Sequence, residues 1–189
     1  VLRDTAIPAY SITPPDTLGY NPPKLFSFDP EQARALLAEA GYPDGQGWPG
    51  LEITYNTNED HRKIAVAVQQ MWKDELGIDV SITNQEWKVY LNTVSQGEFQ
   101  VARRGWIGDY VDANNFLDLF LANGGNNNTG YANAEFDDII LNQAPKAASR
   151  EERYQLFFQA ETMMMQEMPI IPFYTYTSKR LIHPSVNGI

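Results

Sequence analysis

The chain has 189 residues, of which 43% are hydrophobic, enough for one domain or one large lobe with a real core. Its 14 basic and 24 acidic side chains give a net charge of −10, which repels a phosphate backbone and argues against nucleic acid as a direct partner. Cysteine is absent, removing disulfides, thiol catalysis and thiolate metal sites, and no run approaches the ~18 apolar residues of a membrane helix, so direct membrane insertion is not expected.

Residues 1–28 carry Pro8, Pro14, Pro15, Pro22 and Pro23 with few periodic apolar positions. They read as an extended connecting segment that crosses into a domain of residues 29–189. The chain starts without Met and stops at Ile189 right after a strand-like run, which suggests a piece of a longer protein whose export signal would lie upstream. Asp29-Pro30 places a capping carboxylate before a proline at the first helical position, and Ala33, Leu36, Leu37 and Ala40 follow at helical spacing up to Gly41. Leu51 to Tyr55 alternates as a strand. Ile64, Val68, Trp72 and Leu76 then mark a long helix closed by Gly77, and Ile78 to Ile82 alternates again. Strand, helix and strand with short joins predict a right-handed crossover with parallel strands.

Trp87, Tyr90, Leu91 and Val94 predict another amphipathic helix, and Phe99 to Trp106 a third strand. Residues 123–130 are too polar and glycine-rich for regular structure. Helices are expected over Glu135 to Asn142 and from Ser149 to Gln166, the second showing Leu156, Phe157, Ala160, Met163 and Met164 on one face and a capping box at Ser149 and Glu152. Ile170 to Tyr176 and Lys179 to Ile182 read as returning strands.

The segment Arg103-Arg104-Gly105-Trp106-Ile107-Gly108-Asp109-Tyr110 follows the third strand. One reading is structural: Trp106 in the core, the arginines on a solvated face, Asp109 capping a helix that starts near Asn114. The other is a site for a zwitterion, since a guanidinium, exposed backbone, an indole and a carboxylate meet at the carboxyl end of a strand, where open α/β sheets bind ligands. Catalytic motifs are missing: there is no phosphate-binding glycine loop, no Gly-x-Ser-x-Gly elbow and no His-Glu-x-x-His. His61 and His183 are the two histidines, without ligand spacing around them, so neither a metal site nor another cofactor is expected. The carboxylate pairs Glu59-Asp60, Asp137-Asp138 and Glu151-Glu152 fall at predicted helix starts, where the dipole favours anions. Trp87, Trp106, Tyr110, Tyr174 and Tyr176 fall near strand ends or helix starts, positions suited to a cleft.

Five blocks in order resemble one family: Ser27-Phe28-Asp29-Pro30 leading to Leu36 through Tyr42; Tyr55-Asn56-Thr57 with His61; Asn84-Gln85-Glu86-Trp87; Arg103 through Tyr110; and Pro169-Ile170-Ile171-Pro172-Phe173-Tyr174. The chain resembles the peptide-binding proteins of bacterial ABC importers, extracellular solute-binding proteins of family 5, and most of all periplasmic oligopeptide-binding proteins. The likeness covers their C-terminal lobe. It implies an α/β fold, a periplasmic-binding-protein-like lobe with a mixed, mostly parallel sheet and helices on both faces. It implies a receptor without catalytic activity or cofactor that closes an N-terminal lobe, absent from this chain, over an extended oligopeptide and delivers it to the membrane subunits of an ABC permease. The location implied is the periplasm, or the outer face of the membrane by a lipid anchor. The same lobes also occur in regulators, where they would sense a peptide or other solute.

Carried over by position, the resemblance implies that Asp109 pairs with the peptide α-ammonium and that Gly105 and Ile107 offer backbone groups. Trp87 and Trp106 would wall side-chain pockets. Arg103 and His61 would lie near the peptide carboxylate, and Tyr176 would be a cleft tyrosine. Val94 stands where relatives often carry a basic residue and Arg104 where a small one is usual, which leaves peptide length open.

Overall fold

Capping chemistry sets most of the element boundaries. The structure, a computed structural model, describes residues 6–177 together with His183, Ser185 and Val186. A short strand β1 (Ile7–Pro8) comes first, followed by irregular chain up to helix α1 (Pro30–Glu39). The Asp29 carboxylate accepts the Gln32 N–H at 2.9 Å, and Pro30 occupies the first turn, where its missing N–H leaves nothing unpaired. Strand β2 (Leu51–Asn56) leads into helix α2 (Glu59–Leu76), which starts ahead of Ile64 because the Asn58 side chain accepts the N–H groups of Asp60 and His61. Gly77 ends α2 with φ of 70°. A Cβ there would lie 2.5 Å from the Asp44 carbonyl oxygen, so both the backbone conformation and the close approach demand glycine.

Strand β3 (Val80–Gln85), helix α3 (Trp87–Ser95) and strand β4 (Val101–Ala102) complete the first half. The three strands are parallel in the order β3-β2-β4, with Leu51 opposite Val80 and Ile53 opposite both Ile82 and Val101. Strand alternation divides the sheet. Leu51, Ile53, Val80, Ile82 and Val101 share a cluster with Leu37 of α1 and Val68 and Trp72 of α2. The intervening positions Glu52, Thr54, Ser81 and Thr83 are polar, and the Glu52 carboxylate accepts the Thr83 hydroxyl at 2.5 Å.

The second half is helical: α4 (Asn114–Leu117) tightens into a 3₁₀ turn over Asp118–Phe120, and α5 (Ala134–Asp138) widens into a π turn over Ile139–Gln143. Helix α6 (Arg150–Glu167) starts on Ser149, whose hydroxyl accepts the Glu152 N–H, while the Glu152 carboxylate accepts the Ala148 N–H. Leu117, Phe120, Phe136, Ile139, Phe157 and Met164 form the larger core. Strand β5 (Tyr174–Thr175) returns to pair antiparallel with β1. The chain thus has the α/β character expected of it, with a parallel sheet and helices packed against it.

Three expectations are corrected in extent. The third strand pairs only at Val101–Ala102, because beyond Arg103 the backbone leaves β2 and its polar groups turn to side chains of α4. Ile170 to Tyr176 is paired only at β5, and with β1 rather than the parallel sheet. The helix expected over Glu135 to Asn142 changes from α to π winding at Ile139. The polar stretch 123–130 is a loop, organised by Asn127, whose Nδ2 donates to the carbonyls of Phe120, Leu121 and Tyr131. The strand predicted over Lys179 to Ile182 lies outside the described residues.

One buried carboxyl group joins the first segment to the helical core. Glu161 of α6 is 0% exposed, and its carboxylate accepts the Ser11 hydroxyl at 2.5 Å, the Thr13 N–H at 2.9 Å and the Tyr20 hydroxyl at 2.8 Å. Burial holds the Glu161 carboxyl above the ordinary glutamate range, outweighing the three donors that oppose it. Burial and the neighbouring Glu161 carboxylate likewise hold the Tyr20 phenol far above its usual value, so it stays a donor.

A raised folded-state value means that the contribution of Glu161 is complete below the ordinary glutamate range and is lost as pH rises through the raised value. Glu161→Gln keeps an acceptor for Thr13 and a group for Tyr20. Denaturant titrations from about pH 4 to pH 8 should show the native chain losing stability with pH relative to the Gln variant. Glu161→Ala should lower stability by roughly 3 kcal/mol or more at about pH 4, where the contribution of the native side chain is complete, since it strands several buried donors.

Candidate functional site

The site begins where the parallel pairing ends. The Arg103 N–H donates to the Thr54 carbonyl at 2.8 Å, one step beyond β4, and the Arg103 carbonyl accepts the Tyr90 hydroxyl from α3. The guanidinium donates to the Tyr176 hydroxyl and lies 5.9 Å from that ring, just past β5. Arg103 is thereby held between the sheet and the returning segment. Tyr176 also lies over Gly105: a Cβ at Gly105 would sit 2.7 Å from the phenol oxygen, so the aromatic ring reaches bare backbone there.

Beyond Gly105 the chain is pinned by Asn115, at the start of α4. Its Oδ1 accepts the Trp106 indole N–H at 2.9 Å and the Asp109 backbone N–H at 3.0 Å. Trp106 is half-buried, packs against the larger core and also lines the cleft. Asp109 does not cap α4; Asp112 accepts the Asn114 N–H at 2.9 Å and also pairs with Arg153 of α6 through both guanidinium nitrogens at 2.7 and 2.9 Å. The Asp109 side chain is exposed. Its charge is felt by half-buried Asp118, whose carboxyl is held above the ordinary range first by burial and then by Asp109.

His61, in the first turn of α2, shares a hydrogen bond of 2.9 Å between its Nδ1 and the Asn56 side-chain oxygen at the end of β2. Burial, then the nearby Arg103 guanidinium, hold the imidazole below its ordinary value, against the opposing effect of Asn56 and Asp60. His61 is therefore neutral near pH 7, and Arg103 is the cation of the pair.

These residues open onto one cleft of about 690 Å³ between α2, the segment after β4, and the segment around β5. Six of the eight positions singled out by sequence line it: His61, Arg103, Gly105, Trp106, Ile107 and Tyr176. Asp109 and Trp87 do not. Trp87 is half exposed and stacks on Tyr90, ring centroids 6.1 Å apart, so it touches the site through the residue that holds the Arg103 carbonyl. Ile107 is 81% exposed, its side chain turned to solvent. Arg104 is exposed at the cleft and Val94 is buried. Sequence reasoning missed Asn115, Tyr90 and the Asp112–Arg153 pair. Only the Asn-Asn start of α4 carried a local signal, and the tertiary partners carried none.

A model of the family described as bacterial extracellular solute-binding proteins, family 5 (middle), matches residues 1–128, and the chain belongs to that family. The chain is 36% identical over 197 residues to the oligopeptide-binding protein OppA of Bacillus subtilis, covering 100% of itself and 36% of that protein. Among solved structures it is similar to the murein tripeptide binding protein MppA of Escherichia coli, with a TM-score of 0.85 and 40% identity over 94% of this chain and 36% of that one. It is also similar to Haemophilus influenzae OppA in complex with RPPGFSPFR, with a TM-score of 0.82 and 35% identity over 92% of this chain and 35% of that one. The chain spans about a third of the length of these relatives.

A depressed folded-state value means that the contribution of neutral His61 is complete above the ordinary imidazole range and is lost as pH falls through the depressed value. NMR titration of the His61 ring should give a midpoint below that of an exposed imidazole, and Arg103→Met should move it upward by removing the nearby positive charge.

Proposed function

We propose that this chain is the C-terminal lobe of a two-lobed receptor that captures oligopeptides and hands them to an ABC-type permease. Residues 1–28 would lead from the N-terminal lobe and residues 29–189 would form one wall of the binding cleft. The observation that carries this reading is the gathering of Arg103, His61, Tyr176, the indole of Trp106 and the bare backbone at Gly105 around one cleft. An extended peptide offers such a surface a carboxylate, a ladder of main-chain groups and variable side chains.

The charges fit the two ends of a peptide. Asp109 and Asp118 concentrate negative charge on one side of the Arg103-to-Asp109 segment and suit an α-ammonium. Arg103, with neutral His61 as its neighbour, suits a carboxylate. The OppA and MppA relatives are named for binding oligopeptides or a murein tripeptide, and one OppA was crystallised with a peptide, which supports the same ligand class here. Binding without catalysis, a periplasmic or outer-surface location and docking to permease subunits follow from this assignment. Among the described residues no helix is long and apolar enough to cross a membrane.

Calorimetry of the full-length receptor with tri- to pentapeptides tests the reading. Micromolar or tighter binding is expected. Asp109→Asn, or N-acetylation of the peptide, should weaken it by roughly 30-fold or more, the scale of a desolvated charge pair losing one partner. Full affinity of the acetylated peptide would overturn the assigned role of Asp109, and no binding of any peptide would overturn the ligand class. The 189-residue chain alone should bind far more weakly than the full receptor, because half the contacts must offset the same loss of association entropy.

A further inference from the structure

Asn115 occupies an unusual place in this lobe. It is 4% exposed, uncharged and outside the cleft lining, yet a single oxygen of its carboxamide holds two separated parts of the Arg103-to-Asp109 segment. The Trp106 indole N–H reaches it at 2.9 Å and the Asp109 backbone N–H at 3.0 Å. Between them, Gly108 lies flat on the same helix start: a Cβ at Gly108 would come within 3.2 Å of the Asn115 oxygen and 3.1 Å of the Phe116 ring. The segment therefore arches over Asn115, with its two feet bonded to one atom.

The anchor is itself rigid. Asn115 sits in α4, between Asp112, which binds Arg153 through both carboxylate oxygens, and the fully buried Leu117. An acceptor fixed in this way defines where the indole plane and the Asp109 α-carbon can be, and so where the exposed Asp109 carboxylate is presented. Among the described residues no backbone N–H from Gly105 to Gly108 donates to the core, so this stretch, bracketed by two glycines and unpaired with the sheet, depends on the Asn115 oxygen through the Trp106 indole and the Asp109 N–H.

We infer that Asn115 is a positioning residue of the peptide site: through one oxygen it couples the Trp106 wall to the Asp109 carboxylate and sets the distance between them. The role rests on the peptide reading given above. It assigns to Asn115 a part of the discrimination in favour of peptides with a free amino terminus, because it acts through the group that would meet the ammonium. It also links side-chain pocket and terminus: a ligand that shifts the indole pulls on the same atom that places Asp109.

The test uses the full-length receptor with one tetrapeptide in free-amino and N-acetylated forms, and the variants Asn115→Ala, Asn115→Asp and Asp109→Asn. Asn115→Ala should weaken the free-amino peptide about tenfold, the scale of two hydrogen bonds made by one acceptor, and the acetylated peptide by twofold or less. Its effect should shrink to about twofold in the Asp109→Asn background, the mark of two residues acting through one contact. Asn115→Asp, which keeps the oxygen in place, should recover most of the free-amino affinity. The Trp106 contribution to fluorescence, taken as the difference from Trp106→Phe, should shift in Asn115→Ala and return in Asn115→Asp, a signature that general loss of stability would not give. Equal weakening of both peptides by Asn115→Ala, or unchanged binding of the free-amino form, would overturn the role of Asn115 while leaving the peptide reading standing. A wild-type receptor that binds neither peptide would overturn the peptide reading and this inference with it.

Discussion

The interaction on which the rest depends is the buried carboxylate of Glu161. A chain whose first described residues are irregular and proline-rich gains little from local hydrogen bonding, so something outside the segment has to fix it. Glu161 does this with one side chain: it takes two hydroxyls and a backbone N–H from positions about 150 residues earlier in the chain. The phenol of Tyr20 is drawn into the larger core in the process and meets Phe157 edge-on at 6.2 Å. An unpaired carboxylate would not tolerate such burial, and the three donors would not tolerate an apolar partner. With segment and helix fixed to each other, β1 is delivered beside β5, and the Ala9 N–H donates to the Phe173 carbonyl. The segment bearing Tyr176, which reaches Arg103 and Gly105, is then held in register with the lobe rather than left to find its own place.

From that frame the cleft follows by polarity. The sheet has one apolar set of positions, filled by α1 and α2, and one polar set in which Glu52 serves Thr83. The carboxyl ends of β2 and β4 supply Asn56 and Arg103, each already committed: Asn56 to His61 and the Arg103 backbone to Thr54 and Tyr90. Among the side chains that face the cleft are two guanidinium groups and several aromatic rings, with an imidazole kept neutral by burial and by its cationic neighbour. A guanidinium with planar donors is the suitable head for a carboxylate at such a place, because it stays charged however far solvent is excluded.

The local signals in the sequence were those with local causes. Asp29-Pro30, Gly77 and Ser149 mark helix ends through contacts within four residues of themselves, and the structure has its boundaries there. The parallel crossover was legible because period two, period 3.6 and period two again occur with joins too short for other topologies. Phe99 to Trp106 looked like one strand because its composition continues past Ala102, whereas pairing stops where Asn115 and Tyr176 draw the backbone away. Glu161 could not be read at all: on a helix rich in acidic residues it differs from Glu151 and Glu152 only through partners that tertiary folding brings. The buried stripe of α6 accordingly includes Glu161 and Met165 beside Phe157, Ala160 and Met164. At the candidate site, the residues with unusual chemistry were visible from the sequence, while of those that hold them Asn115 is marked only by its place at a helix start and Tyr90 looks like any other residue of an amphipathic helix.

The exposure of Asp109 is the last point that the proposed function has to accommodate. An ion pair in solvent contributes little, so an exposed carboxylate by itself would select weakly for an ammonium. Its neighbourhood supplies the missing part: Asp118 is half-buried, with a carboxyl already disfavoured as an anion by burial and by Asp109, so the pair has unfavourable charge to relieve. Enclosure by a second lobe would remove Asp109 from water as well, and an enclosed carboxylate without a cation would then oppose closure, while one paired with an α-ammonium would not. The same argument distinguishes the two ends of the site. Arg103 already has the Tyr176 hydroxyl as a partner without ligand, whereas Asp109 presents its side chain to solvent from a backbone fixed by Asn115. Under the proposed function the carboxylate-binding end would thus be prepared in advance, and the ammonium-binding end would be the one at which a ligand determines whether the lobes can close.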